Sequence, residues 1–108
     1  MTQLAVLTCM DARIDPLRVV DDAFILRNAG AQCSDDVIRS LKLARGLGVT
    51  RVRVIGHTDC AAYDRDNEAA AAGARETAEQ ISAALPELEV EVEVLDISRP
   101  GAARRPSG

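Results

Sequence analysis

At 108 residues the chain has room for one domain. Its residues are 47% apolar but only 2% aromatic, so Val, Ile, Leu and Ala must build the core. A formal net charge of -4 argues against a basic face for nucleic acid or anionic membrane, and no apolar run approaches the ~18 residues of a membrane span.

Leu4 to Thr8 is a short apolar run, suited to a strand covered on both faces. It stops at Cys9, and the segment to Pro16 reads as loop. Pro16 can open a short helical turn through Leu17, Val19 and Val20. Ala23 to Leu26 reads as a second buried strand. It runs into a polar turn, Arg27-Asn28-Ala29-Gly30, where Asn and Gly tolerate unusual dihedrals. Ser34 is placed as a helix N-cap, and Asp35 and Asp36 suit the positive end of the helix dipole. Val37, Ile38, Leu41 and Ala44 follow at helical spacing, and Gly46 or Gly48 can close the helix. Arg51 to Gly56 is the third strand. Asp66 to Leu85 is an alanine-rich helix with Gly73 as a weak point in its middle and Pro86 beyond its end. Glu89 to Ile97 alternates Glu and Val, the pattern of a half-exposed edge strand. Residues 99–108, with two Pro and two Gly, read as a flexible tail after a single domain at 1–98.

Strands separated by helical crossovers imply an α/β domain: a mostly parallel four-stranded sheet flanked by helices. Sites in such sheets form beyond the carboxyl ends of the strands. Cys9, Asn28 and His57 all fall there.

His57 is the only histidine and stands three residues before Cys60. With Cys9 it would supply two thiolates and an imidazole, a donor set suited to zinc. A closed structural site would need a fourth Cys or His. Cys33 lies at a helix start, away from the strand ends, so it reads as a passive thiol. The expected site is therefore open, with one corner left for solvent. Two thiolates cancel the charge of the zinc ion, so bound water gains acidity only with help from a nearby acceptor. Asp11 can be that acceptor, and Arg13 can keep it ionised. Asp59 reads as a turn residue or a support for a ligand. Cys9 and Arg13 are too close together for a thiol-phosphatase loop.

Cys9-Met10-Asp11-Ala12-Arg13, then Arg27-Asn28-Ala29-Gly30, then His57-Thr58-Asp59-Cys60 resemble, in order and spacing, the motifs of β-class carbonic anhydrases. The likeness covers about residues 4 to 62. It implies zinc on Cys9, His57 and Cys60, with Asp11 and Arg13 as the dyad. It implies reversible hydration of carbon dioxide to bicarbonate by zinc-bound hydroxide, with an Asp11 able to replace water on the metal. It also implies a homodimer or higher assembly. The chain departs from the pattern at Ala61, where the family commonly has Gly, and in being shorter at both ends. Those departures keep a second reading open: a shortened, non-catalytic zinc-binding domain. A third is a hydrolase of a related small molecule such as carbonyl sulfide. With no second histidine, buffer, Tyr63 or an exposed carboxylate must carry the proton away. The odd cysteine count and the lack of a signal-peptide pattern point to a cytoplasmic protein.

Overall fold

The computed structural model describes residues 2–16, 20 and 22–97. Four strands, β1 (Leu4–Cys9), β2 (Phe24–Asn28), β3 (Arg51–His57) and β4 (Glu89–Leu95), form one sheet in the order β2-β1-β3-β4, and every pairing is parallel. Helix α1 (Asp35–Gly46) returns the chain from β2 to β3, and α2 (Asn67–Ala84) from β3 to β4. The α/β expectation holds, and β4 lies at an edge as its Glu–Val alternation requires.

Burial explains the order. All six residues of β1 are buried, which is possible only for a central strand covered on both faces. On one face Ala5, Leu7, Val52 and Val54 pack with Val37, Leu41 and Ala44 of α1 and with Ala74, Ala78 and Ile81 of α2. On the other, Leu4, Val6 and Ile55 pack with Val20. A fully buried aliphatic side chain contributes roughly 1.5–3 kcal/mol, so Leu7 and Ile55 anchor the two faces.

The helix ends follow their sequence signals. Ser34 Oγ accepts from Val37 N at 3.2 Å. At the other end Gly48 takes a φ of 109°, while Gly48 N donates to Arg45 O and Val49 N to Ala44 O. Those two bonds form a Schellman motif, so Gly48 rather than Gly46 closes the helix. Asp66 Oδ1 accepts from Ala69 N and caps α2.

Several boundaries differ from expectation. Arg27 and Asn28 belong to β2, because they stay in register with Thr8 and Cys9; the turn begins only at Ala29. β3 extends to His57, held by pairing with Leu95. β4 stops at Leu95 instead of Ile97, since β3 offers no further partner; Ile97 N instead donates to Thr58 Oγ1 at 2.9 Å. Gly73 does not interrupt α2. It makes room for the Tyr63 ring, whose hydroxyl lies where a Cβ would stand. Of the turn expected through Leu17, Val19 and Val20, residues 17–19 lie outside the described residues; Val20 N does donate to Pro16 O at 2.9 Å. The tail at 99–108 also lies outside them. No helix among the described residues is long and apolar enough to cross a membrane.

Candidate metal centre

Cys9 ends β1, His57 ends β3, and Cys60 follows a turn in which Asp59 takes a φ of 54°. The parallel sheet puts both strand ends at the same edge. The turn then brings Cys60 back, so that the two sulfurs stand 4.0 Å apart. Cys9, His57 and Cys60 are all buried, and their ligand atoms lie within 4.8 Å of one another. Cys33 does not belong to this group. It lines a separate open cleft with Gln32, Tyr63, Gly73, Glu76 and Gln80.

The imidazole is oriented by its own neighbour. His57 Nδ1 lies 2.7 Å from Thr58 O. A carbonyl only accepts, so Nδ1 carries the proton and Nε2 keeps its lone pair. Nε2 is buried with no hydrogen-bond partner. An unpartnered buried acceptor costs roughly 1–3 kcal/mol unless something satisfies it. A divalent ion would satisfy it. Bonds of about 2.3 Å to sulfur at a tetrahedral angle require sulfurs roughly 3.8 Å apart, against the 4.0 Å found. The donor set and its spacing therefore fit zinc.

Around the sulfurs the surroundings differ. Gly30 N donates to Cys9 Sγ at 3.3 Å, a contact that helps a thiolate. A side chain on Gly30 would press on Ala62 and Tyr63, and its φ is 78°. Burial pushes the Cys60 thiol up, and the neighbouring Cys9 adds to that, so a cation is needed to hold Cys60 as thiolate.

Asp11 and Arg13 meet as expected. Arg13 Nε and backbone N donate to Asp11 Oδ1 at 3.0 and 2.8 Å, and Nη2 donates to Oδ2 at 2.8 Å. The Arg13 side-chain bonds, opposed by burial, hold the Asp11 carboxyl at about 2, below its ordinary 3.8. Asp11 raises Arg13 in return, with help from Asp59.

Four residues take parts here beyond those the sequence suggests. Arg27 reaches from β2 to the carbonyls of Cys9, Asp11 and Ile14 and ties down the loop that carries the dyad. Gly30, read as a turn residue, touches a sulfur. Asp59 and Arg65 form a further ion pair beside Arg13. Of these, the sequence points to Asp59 as a turn residue or ligand support, and to Arg27 through its place after a strand.

A family model described as carbonic anhydrase matches residues 4–102. "Beta-carbonic anhydrase 1" of Mycobacterium bovis is 44% identical over 62 residues, which are 53% of this chain and 38% of that protein. "Carbon disulfide hydrolase" of an Acidianus species is 44% identical over 63 residues, 54% of this chain and 31% of that one. The match thus spans well under half the length of either relative. Among solved structures, the carbonic anhydrase of Streptococcus mutans superposes with a TM-score of 0.71 at 28% identity, covering 93% of this chain and 78% of that one.

Proposed function

The chain belongs to the β-class carbonic anhydrase family, and from that premise we propose that it interconverts carbon dioxide and bicarbonate, with zinc held by Cys9, His57 and Cys60. The observation that carries the reading is the pairing of two features. An oriented, unpartnered His57 Nε2 stands with two thiols within 4.8 Å. Close by in the chain, Asp11 is locked to Arg13. A site built only for structure has no use for such a carboxylate.

Zinc bound there would supply a Lewis acid that makes water a nucleophile near neutral pH. The chain does the rest. Asp11 accepts a hydrogen bond from the reacting water and aims it; being ionised, it is an acceptor only. Arg13 fixes that carboxylate through a two-pronged contact. Thr58 holds the tautomer of His57. The Gly30 N–H steadies the charge on Cys9. No second histidine exists to carry the product proton, so buffer does so and turnover rises with buffer concentration.

The domain is taken as residues 1–98, in a cytoplasmic protein that works as a homodimer or higher assembly. Phe24 on the edge strand β2, Leu43 on α1 and Leu47 just after it support the pairing, because these apolar side chains are exposed. Light scattering that gives a monomer mass at all concentrations would remove that part.

Stopped-flow hydration on the zinc-loaded chain, with Asp11→Ala alongside, tests the activity. No rate above the buffer blank from about pH 7 to 9 would leave the non-catalytic zinc domain as the surviving reading. The similarity to a carbon disulfide hydrolase favours a second substrate class, linear carbon–sulfur molecules such as carbonyl sulfide. Sulfide release from carbonyl sulfide, faster than hydration at equal concentration, would make that class the preferred one.

A further inference from the structure

The dyad has a far side. Arg13 Nη1 donates to Asp59 Oδ2 at 2.8 Å, and Nη2 donates to Asp59 O at 3.0 Å. Arg65 Nη1 donates to the other oxygen of that carboxylate, Oδ1, at 2.9 Å. Asp59 N donates to Asn67 Oδ1 at 2.9 Å. Negative and positive groups therefore alternate in one chain of contacts: Asp11, Arg13, Asp59, Arg65.

We propose that Asp59 and Arg65 are positioning residues: they grip the Arg13 guanidinium opposite Asp11 and so set where the Asp11 carboxylate lies. The inference rests on the hydration reading for its kinetic consequence, though not for the grip itself.

A guanidinium has five N–H donors in a rigid fork. Asp11 alone occupies one edge of it, through Nε and Nη2. The backbone N of Arg13 holds Asp11 Oδ1, yet Asp11 Oδ2 and the guanidinium, joined along one edge, can still swing together about that oxygen. Asp59 takes the other edge with a side-chain oxygen and a backbone oxygen, and the swing is closed off. Arg65 then stops Asp59 from rotating, because both carboxylate oxygens are engaged.

The backbone is bent to make this meeting. Asp59, Asp64 and Arg65 have φ values of 54°, 52° and 63°. Asp tolerates the left-handed region through its short polar side chain, but Arg has no such relief. Strain of this kind persists where surrounding contacts impose it. Here Arg65 N donates to Cys60 O at 2.9 Å while its guanidinium folds back over Asp59. A chain that needed only a reversal would be served by glycine.

An exposed ion pair adds little stability, and the Arg65 side chain is 66% exposed. Loss of Arg65 should therefore leave the melting temperature almost unchanged and act on geometry instead. The full chain carrying Arg65→Ala, Arg65→Lys or Asp59→Ala is compared with wild type in two ways. One is the proton–nitrogen NMR signal of Arg13 Nε–H, identified by its loss in Arg13→Lys. The other is carbon dioxide hydration of the zinc-loaded protein, with kcat and KM separated. Arg65→Ala should broaden the Arg13 signal and lower kcat about threefold to fivefold with KM unchanged; Asp59→Ala should cost about tenfold. Arg65→Lys should recover most of both. A wild-type Arg13 signal and wild-type kcat in Arg65→Ala would overturn the proposal and leave a surface ion pair only. If wild type itself does not hydrate carbon dioxide, the hydration reading fails, and the Arg13 signal alone still decides whether the grip exists.

Discussion

His57 donates from Nδ1 to the carbonyl of the next residue, Thr58, at 2.7 Å, and that one bond turns the unprotonated Nε2 toward the sulfurs of Cys9 and Cys60. A ligand oriented before the metal arrives loses little freedom on binding. Replacing any of the three donors should therefore empty the site, whereas the lone thiol of Cys33 should be dispensable. Cys60→Ser and His57→Asn should lower zinc per chain, measured by plasma emission on gel-filtered protein, to about a tenth of wild type or less. Cys33→Ser should keep it. Equal zinc in all four proteins would refute the assignment of ligands.

The dyad gives a kinetic expectation. Asp11→Asn keeps the shape but offers Arg13 one oxygen in place of two and no charge. Loss of an aiming carboxylate should lower kcat by roughly a hundredfold while KM changes little. Arg13→Lys should fall between, because an ammonium cannot make the two-pronged contact. Stopped-flow rates decide it; a larger loss in KM than in kcat would mean that Asp11 binds substrate and does not aim water.

How far these residues could be read in advance depended on distance along the chain. Cys9, His57 and Cys60 sit at strand ends, and strand ends show as apolar runs that stop. Asp11 and Arg13 are neighbours, so their meeting needs only a local turn. Arg13 and Asp59 are 46 residues apart, and nothing periodic links them. Their contact depends on Asp59 taking a left-handed φ of 54°, which an Asp permits but marks less firmly than Gly or Asn. β2 runs two residues past its apolar stretch for a related reason. Arg27 and Asn28 look like turn residues in isolation, and only pairing with β1 keeps them extended.

Acid stability should depend on Asp11. Its carboxyl is held at about 2 against an ordinary 3.8, so the folded state binds this proton more weakly than the unfolded state does. The contribution is then fully present above pH ~4 and is lost as pH falls toward ~2. Solvent reaches both partners, with side chains 18% and 32% exposed, and screens the pair. That leaves on the order of 1 kcal/mol. Urea titrations of zinc-stripped wild type and Asp11→Asn should differ by this amount at pH 7 and converge near pH 2. A constant difference across that range would place the stabilisation elsewhere.

Tyr63 and Gly73 give a prediction of sign. Glycine inside a helix is worse than alanine by about 1 kcal/mol, so Gly73→Ala on α2 would ordinarily stabilise. Here the ring of Tyr63 fills the place of the missing Cβ, with its hydroxyl nearest. The ring also packs on the cluster of Cys9, Cys60 and Ala70, so it cannot retreat freely. Gly73→Ala alone should therefore destabilise, by roughly 1–3 kcal/mol, as overpacking does. In a Tyr63→Ala background the same change should stabilise by about 0.5–1 kcal/mol, because only helix propensity then remains. The two effects differ in sign, so a double-mutant cycle read by urea unfolding tests the contact without needing a reference magnitude. A Gly73→Ala protein more stable than wild type with Tyr63 intact would mean that the ring does not sit against α2.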